Sequence, residues 1–173
     1  MGCGIIVCGL NGCGKSTFGR ALAEALGYHL IDMEDLFFPK KGQYASPRPR
    51  SEAQRLLLDE VHGHERFVLA MVKGDDLGAI LPHCGLTVLM EVPRDIRLAR
   101  IRERSYQMFG ERMLPGGDLY EREQAFLDKV SARSEREIEA WVQALPCPLL
   151  RIDGTKPVEE NIRLVREKLR RAP

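Results

Sequence analysis

Gly9-Leu10-Asn11-Gly12-Cys13-Gly14-Lys15-Ser16-Thr17 follows directly on the apolar run Ile5-Ile6-Val7-Cys8. A soluble core has no use for this much bare backbone beside a lysine. The stretch satisfies G-x-x-x-x-G-K-[ST] in full, with a strand pattern before it and a helical pattern after it. Glycines let the loop curl until successive N–H groups face a single anion. The opening turn of the next helix adds unpaired amides and a partial positive charge. Lys15 offers a point charge to outer phosphates, and Ser16 offers a hydroxyl to Mg²⁺. The loop, with Gly9, Asn11, Gly12, Cys13, Gly14 and Thr17, is expected to cradle a nucleoside triphosphate.

Outward from the loop, strand-like runs fall at Gly4–Cys8, Tyr28–Ile31, Phe67–Val72, Leu86–Val92 and Leu149–Ile152. They are mostly continuous apolar runs rather than alternating ones, as strands covered on both faces by helices are. Helical patterns lie between them: Ser16–Leu26 ending at Gly27, Ser51–His62 with Ser51 as N-cap, a short helix after Asp75, and Asp95–Arg104. A long helix spans Glu121–Ala144, and Val158–Arg170 follows Pro157. Strand alternating with helix predicts a parallel sheet with right-handed crossovers. Pro39–Arg50 and Tyr106–Asp118 fit neither pattern, and irregular stretches of that length in a compact domain are usually functional or mobile.

The 173 residues suit one domain, 1–173. A net charge of +1 gives no ground for nucleic acid or an anionic membrane surface, and no apolar run reaches the ~20 residues of a bilayer span. There is no basic leader before the first apolar run, and Ile6 stands where a myristoylation pattern needs Ser or Thr. Five cysteines without a CxxC pair fit a reducing cytoplasm. His29, His62, His64 and His83 lack metal-ligand spacing, and surface or capping roles are expected of them.

Beyond the loop, the chain resembles the small P-loop kinases grouped around adenylate, shikimate and gluconate kinases, over its whole length. The resemblance implies a three-layer α/β P-loop NTPase fold: a five-stranded parallel sheet in the order 2-3-1-4-5 with a small mobile lid. The lid would be about 105–120 and the acceptor-binding region about 35–65. Asp32-Met33-Glu34 is similar to the D-x-D element of shikimate and gluconate kinases, with one carboxylate lengthened. It implies that Asp32 or Glu34 orients the acceptor or meets Mg²⁺; alternatively Glu34 and Asp35 are first-turn charges on a short helix. Asp35 is a further acceptor contact.

Arg100-Ile101-Arg102-Glu103-Arg104 resembles the R-I-x-x-R of adenylate kinases. Arg97, Arg100 and Arg104 share a helical face, and guanidinium groups suit the charge of a transferring phosphoryl group. Arg112 in the lid is a candidate phosphate contact. Asp118 is expected to cap the following helix. The lid carries no cysteines, unlike zinc-binding lids.

Lys73 and Gly74 end the third strand, where gluconate kinases place an A-L-K element and open α/β sheets bind ligands. Asp75 is a candidate for reaching Mg²⁺ through water, because no clear Walker B aspartate stands elsewhere. Arg48 and Arg50 are either acceptor contacts or part of a Pro-stiffened linker. Gly154 and Thr155 resemble the backbone segment that lines adenine in this group.

The reading is therefore an ATP-dependent, Mg²⁺-using kinase of a small molecule, monomeric or homodimeric. Its acceptor is a sugar acid, hydroxy acid, nucleoside or nucleoside monophosphate. The absence of the adenylate-kinase T-G-D element after the second strand favours a hydroxyl acceptor. The alternative is a regulatory nucleotide-binding ATPase without a small-molecule acceptor.

Overall fold

The computed structural model describes residues 2–39, 47–74 and 77–171. Five parallel strands, β1 (Gly4–Cys8), β2 (His29–Asp32), β3 (Phe67–Met71), β4 (Cys84–Glu91) and β5 (Leu149–Asp153), form one sheet in the order β2-β3-β1-β4-β5. That is the expected order. The central strand pairs Ile5 with Val68 on one side and Leu86 on the other.

Alternation along β1 builds two cores. Ile6 and Cys8 join Ile31, Leu57, Leu69, Ile138 and Val142 on one face of the sheet. Ile5 and Val7 join Phe18, Leu22, Val88, Ile152 and Val165 on the other. Successive side chains of a strand point to opposite faces, so a strand buried on both sides has no polar position. Each fully buried Leu, Ile or Phe contributes about 1.5–3 kcal/mol.

The helices are α1 (Lys15–Leu26), α2 (Met33–Phe37), α3 (Arg50–Gly63), α4 (Arg94–Phe109), α5 (Tyr120–Ser131), α6 (Glu135–Gln143) and α7 (Val158–Arg170). Gly27 ends α1, its N–H and that of Tyr28 returning to Glu24 and Ala23. Three expectations need correction. Ser51 lies inside α3, whose N-cap position is Pro49. The helix beginning at Asp95 runs on to Phe109 and takes in the first part of the predicted lid. The long helix over 121–144 is two helices, because Ser134 caps α6 by accepting the Arg136 N–H at 3.1 Å. Ser134-x-x-Glu137 is a capping-box pattern that signals this break. The helix expected after Asp75 begins outside the described residues; a 3-10 turn occupies Leu81–His83.

No described helix is long and apolar enough to cross a membrane. All five cysteines are free, with only Cys3 exposed.

Candidate active site

β1 delivers the glycine loop to the carboxyl edge of the sheet, and α1 leaves it. Gly12 (φ 83°) and Gly14 (φ 96°) take left-handed backbone. A Cβ on Gly12 would meet the Arg97 carbonyl oxygen at 2.4 Å, while one on Gly14 would find only the Met90 methyl at 3.9 Å. The loop is thus pressed against α4 at one glycine and open at the other. Lys15 Nζ curls back to the Leu10 carbonyl at 3.2 Å and to Cys13 Sγ at 3.9 Å. A flexible ammonium parked on its own loop swings onto an anion without breaking a packed contact. The open Gly14, the loose Lys15 and the helix-start amides that lack intrahelical partners all fit a polyphosphate.

Arg97 is the buried brace of this loop, only 3% exposed. Its Nε donates to the Val92 carbonyl at 3.1 Å, Nη1 to the Asn11 carbonyl at 3.3 Å, and Nη2 reaches Glu135 at 3.4 Å. The arginine face predicted for phosphate therefore divides: Arg97 is bound to backbone, and Arg100 and Arg104 remain at the cleft. Arg100 donates to the Gly154 carbonyl at 3.2 and 3.3 Å and lies 3.5 Å from that of Cys13. It ties α4 to the segment after β5 and to the loop.

One cavity of about 1200 Å³ gathers Asn11, Gly12, Gly14, Lys15, Ser16, Thr17, Asp32, Glu34, Arg50, Lys73, Gly74, Arg100 and Arg104. Asp32 caps α2, its Oδ1 accepting the Glu34 N–H at 2.9 Å. Glu34 and Asp35 are first-turn residues of that short helix, and Asp35 is exposed and outside the cavity wall. Lys73 Nζ sits 3.3 Å from Glu137, and Trp141 Nε1 donates to the Gly74 carbonyl at 2.6 Å. Both contacts fix the end of β3 against α6.

Several predicted site residues stand elsewhere. Arg48 donates to the Leu36 carbonyl at 2.9 Å and lies 3.2 Å from Glu52, tying α2 to α3. Arg112 forms a two-point pair with Asp118, at 2.9 and 2.6 Å, on the surface. Asp118 holds this arginine instead of capping a helix; Leu119 is at the N-cap of α5. The Arg112 side chain depresses the Asp118 carboxyl below its usual range. Gly9 and Cys13 lie buried beneath the loop. Gly154 packs beside Cys13, and the Thr155 amide and hydroxyl both donate to Asp153 Oδ1, at 2.8 and 2.6 Å. That contact lowers the Asp153 pKa. Asp75 lies outside the described residues.

The sequence reading missed the contribution of α5. Its Arg122, Glu123, Phe126 and Lys129 line the same cavity, joined by Arg133 just past its end. Glu123 is buried and pairs with Arg122 at 2.8 Å, and Arg122 lies 4.7 Å from the centre of the Phe109 ring. In the sequence Arg122, Glu123 and Lys129 are charges of a helix like any others; only the packing of α5 beside α4 turns them inward.

A parallel 2-3-1-4-5 sheet with this loop at its carboxyl edge defines the P-loop kinase fold. The family model for shikimate kinase matches residues 11–47. Uncharacterized protein YqaC of Bacillus subtilis (strain 168) is 31% identical over 169 residues, 91% of this chain and 92% of that protein. A shikimate kinase of Gloeobacter violaceus is 30% identical over 128 residues, 68% of this chain and 70% of that protein. Among solved structures, a gluconokinase from Sinorhizobium meliloti 1021 superposes with TM-score 0.57 at 17% identity, covering 92% of this chain and 87% of that one. The chain belongs to the shikimate kinase family of small-molecule P-loop kinases. Its reaction class is phosphoryl transfer.

Proposed function

We propose that the protein transfers the γ-phosphoryl group of ATP to a hydroxyl of a small anionic acceptor. The observation that carries this reading is the single cavity joining the glycine loop to Asp32, Lys73 and the arginines of α4. Its volume of about 1200 Å³ exceeds the ~300–1,000 Å³ of a one-ligand pocket, which suits a donor and an acceptor bound together.

ATP supplies the phosphoryl group, and Mg²⁺ screens the charge on it. The loop amides and Lys15 hold the outer phosphates, and Ser16 and Asp32 are the residues suited to the metal. Asp32 has one oxygen engaged by the Glu34 amide, so its other oxygen is the one to orient the acceptor hydroxyl and receive its proton. Arg100 and Arg104 neutralise charge spreading over the transferring group. Lys73 and Arg50 stand on the acceptor side, where an anionic group on the acceptor would find them. A sugar acid or hydroxy acid answers this chemistry better than a neutral nucleoside. Arg112 is less suited than Arg104 to the transition state, because it is paired with Asp118 on the surface.

The test is coupled ADP release with Mg²⁺ and ATP, with and without pools of sugar acids, hydroxy acids, nucleosides and nucleoside monophosphates. Turnover stimulated by an acid pool supports the reading. Equal turnover with and without every pool would make the protein a regulatory ATPase, and stimulation by monophosphates alone would move the acceptor class.

A further inference from the structure

A cluster remote from the nucleotide loop has a chemistry of its own. His29 opens β2, and Glu60 and His64 lie one turn apart at the end of α3. A nitrogen of each ring and a carboxylate oxygen of Glu60 lie within 4.8 Å of one another. His29 Nε2 meets Glu60 Oε2 at 2.7 Å, and His64 Nδ1 lies 3.7 Å from the same oxygen. The two imidazoles stack with centroids 3.5 Å apart and planes 3° from parallel. All three side chains are between 37% and 40% exposed, so an ion reaches them from solvent.

We propose that His29, Glu60 and His64 bind one first-row transition dication, with Zn²⁺ the best-suited ion. Two imidazoles and one carboxylate are the donor set such ions favour, while Mg²⁺ and Ca²⁺ favour all-oxygen sites. Bonds of about 2.0–2.1 Å in a tetrahedron set donors about 3.3 Å apart. The observed 2.7 and 3.7 Å bracket that spacing. His64 Nδ1 also lies 2.9 Å from the Glu60 carbonyl. Ligation through Nδ1, the nitrogen that faces Glu60 Oε2, requires that this carbonyl contact be given up and the ring proton sit on Nε2. A metal must lie in the plane of each ring, and parallel stacked planes share no point. Loading therefore turns one ring and breaks the stack, which half-exposed side chains at a helix end permit. Three protein ligands leave a fourth position for water.

The site would tie two elements that also build the cleft. Asp32 lies three residues along β2 from His29, about 10 Å at the rise of a strand, and Gln54 and Leu57 of α3 line the cavity. A bound ion would fix the far end of α3 against the sheet edge without touching the nucleotide loop.

The experiment uses chelator-treated full-length protein and Zn²⁺ alone, followed by calorimetry and thermal unfolding, with Co²⁺ as a spectroscopic probe. The expected result is one equivalent bound, a raised Tm, and intense tetrahedral Co²⁺ bands. His64→Gln, His29→Gln and Glu60→Gln should each weaken binding at least about tenfold, with circular dichroism confirming that each variant is folded. His64 is the half-exposed C-cap residue of α3, so His64→Gln serves if His29→Gln fails to fold. Cys3→Ser and His83→Asn should bind as wild type does. The proposal is overturned if no saturable Zn²⁺ binding occurs, if His64→Gln binds normally, or if Cys3→Ser or His83→Asn abolishes binding.

Discussion

Arg104 of α4 reaches across the cleft to within 4.0 Å of the Glu34 carboxylate on α2, both side chains nearly half exposed. At that distance and exposure the pair is worth about 0–1 kcal/mol, so it holds the arginine near the start of α2 without locking it there. A polyphosphate with its greater charge would draw Arg104 away from Glu34.

Replacing Arg104 with Ala should lower kcat by about 10²-fold while the KM for ATP changes little, as losing one preorganised donor to developing charge does. Steady-state kinetics with a saturating acceptor checks this. A rise in KM at constant kcat would make Arg104 a ground-state contact only.

Asp32, the N-cap of α2, and Glu34 in its first turn should separate in the same assay. Asp32→Asn should cost at least about 10²-fold in kcat, the usual scale of a lost general base. Glu34→Gln, which only releases a counter-ion of Arg104, should stay within about tenfold. The reverse ranking would transfer the acceptor role to Glu34.

Lys15→Ala should abolish phosphoryl transfer and leave the far-ultraviolet circular dichroism unchanged, because among the described residues Nζ bonds to the Leu10 carbonyl and the Cys13 sulfur of its own loop alone. Persistent turnover in this variant would remove the loop from the reaction.

Two changes probe the brace behind that loop. Arg97→Ala strands the Val92 and Asn11 carbonyls, at about 1–3 kcal/mol for each unsatisfied group, and should lower Tm by several degrees at roughly 2–4 °C per kcal/mol. Gly12→Ala meets both a left-handed backbone and the Arg97 carbonyl, and should weaken ATP binding in calorimetry. Unchanged affinity in both would show that loop position does not depend on α4.

Burial pushes the Cys8 thiol from 9.0 up to about 12, with Cys13 adding to the rise, and pushes Cys84 likewise to about 12, with Cys147 adding. Both stay protonated in the folded state after they would ionise in the unfolded chain. Their contribution to stability is present below about pH 9 and is lost as pH climbs from there toward about 12. At pH 8 an alkylating reagent should therefore label exposed Cys3 and spare Cys8 and Cys84 in the native protein, and label all five cysteines in urea. Native labelling of Cys8 or Cys84, read by peptide mass spectrometry, would contradict this.

The strands, the glycine loop and the order of elements were legible in the chain because each is written in neighbouring residues. Continuous apolar runs require two covering layers, and a loop of left-handed glycines before a helix requires only the local backbone. The break at Ser134 was legible too, in its capping pattern, though the apolar spacing from Phe126 to Val142 runs straight across it. What the packing decided was which charge faces what. Arg97 and Arg100 stand three residues apart on one helical face, yet Arg97 is sealed against the loop carbonyls while Arg100 stays at the cleft. Arg112 found Asp118, and α5 turned Arg122 and Lys129 into the cavity. His29 and His64, separated by most of a crossover, meet because β2 ends the sheet where α3 ends its run. Sequence spacing carries short-range periodicity. Which side chains of distant segments meet depends on strand register and helix rotation, and those are set by the whole core at once.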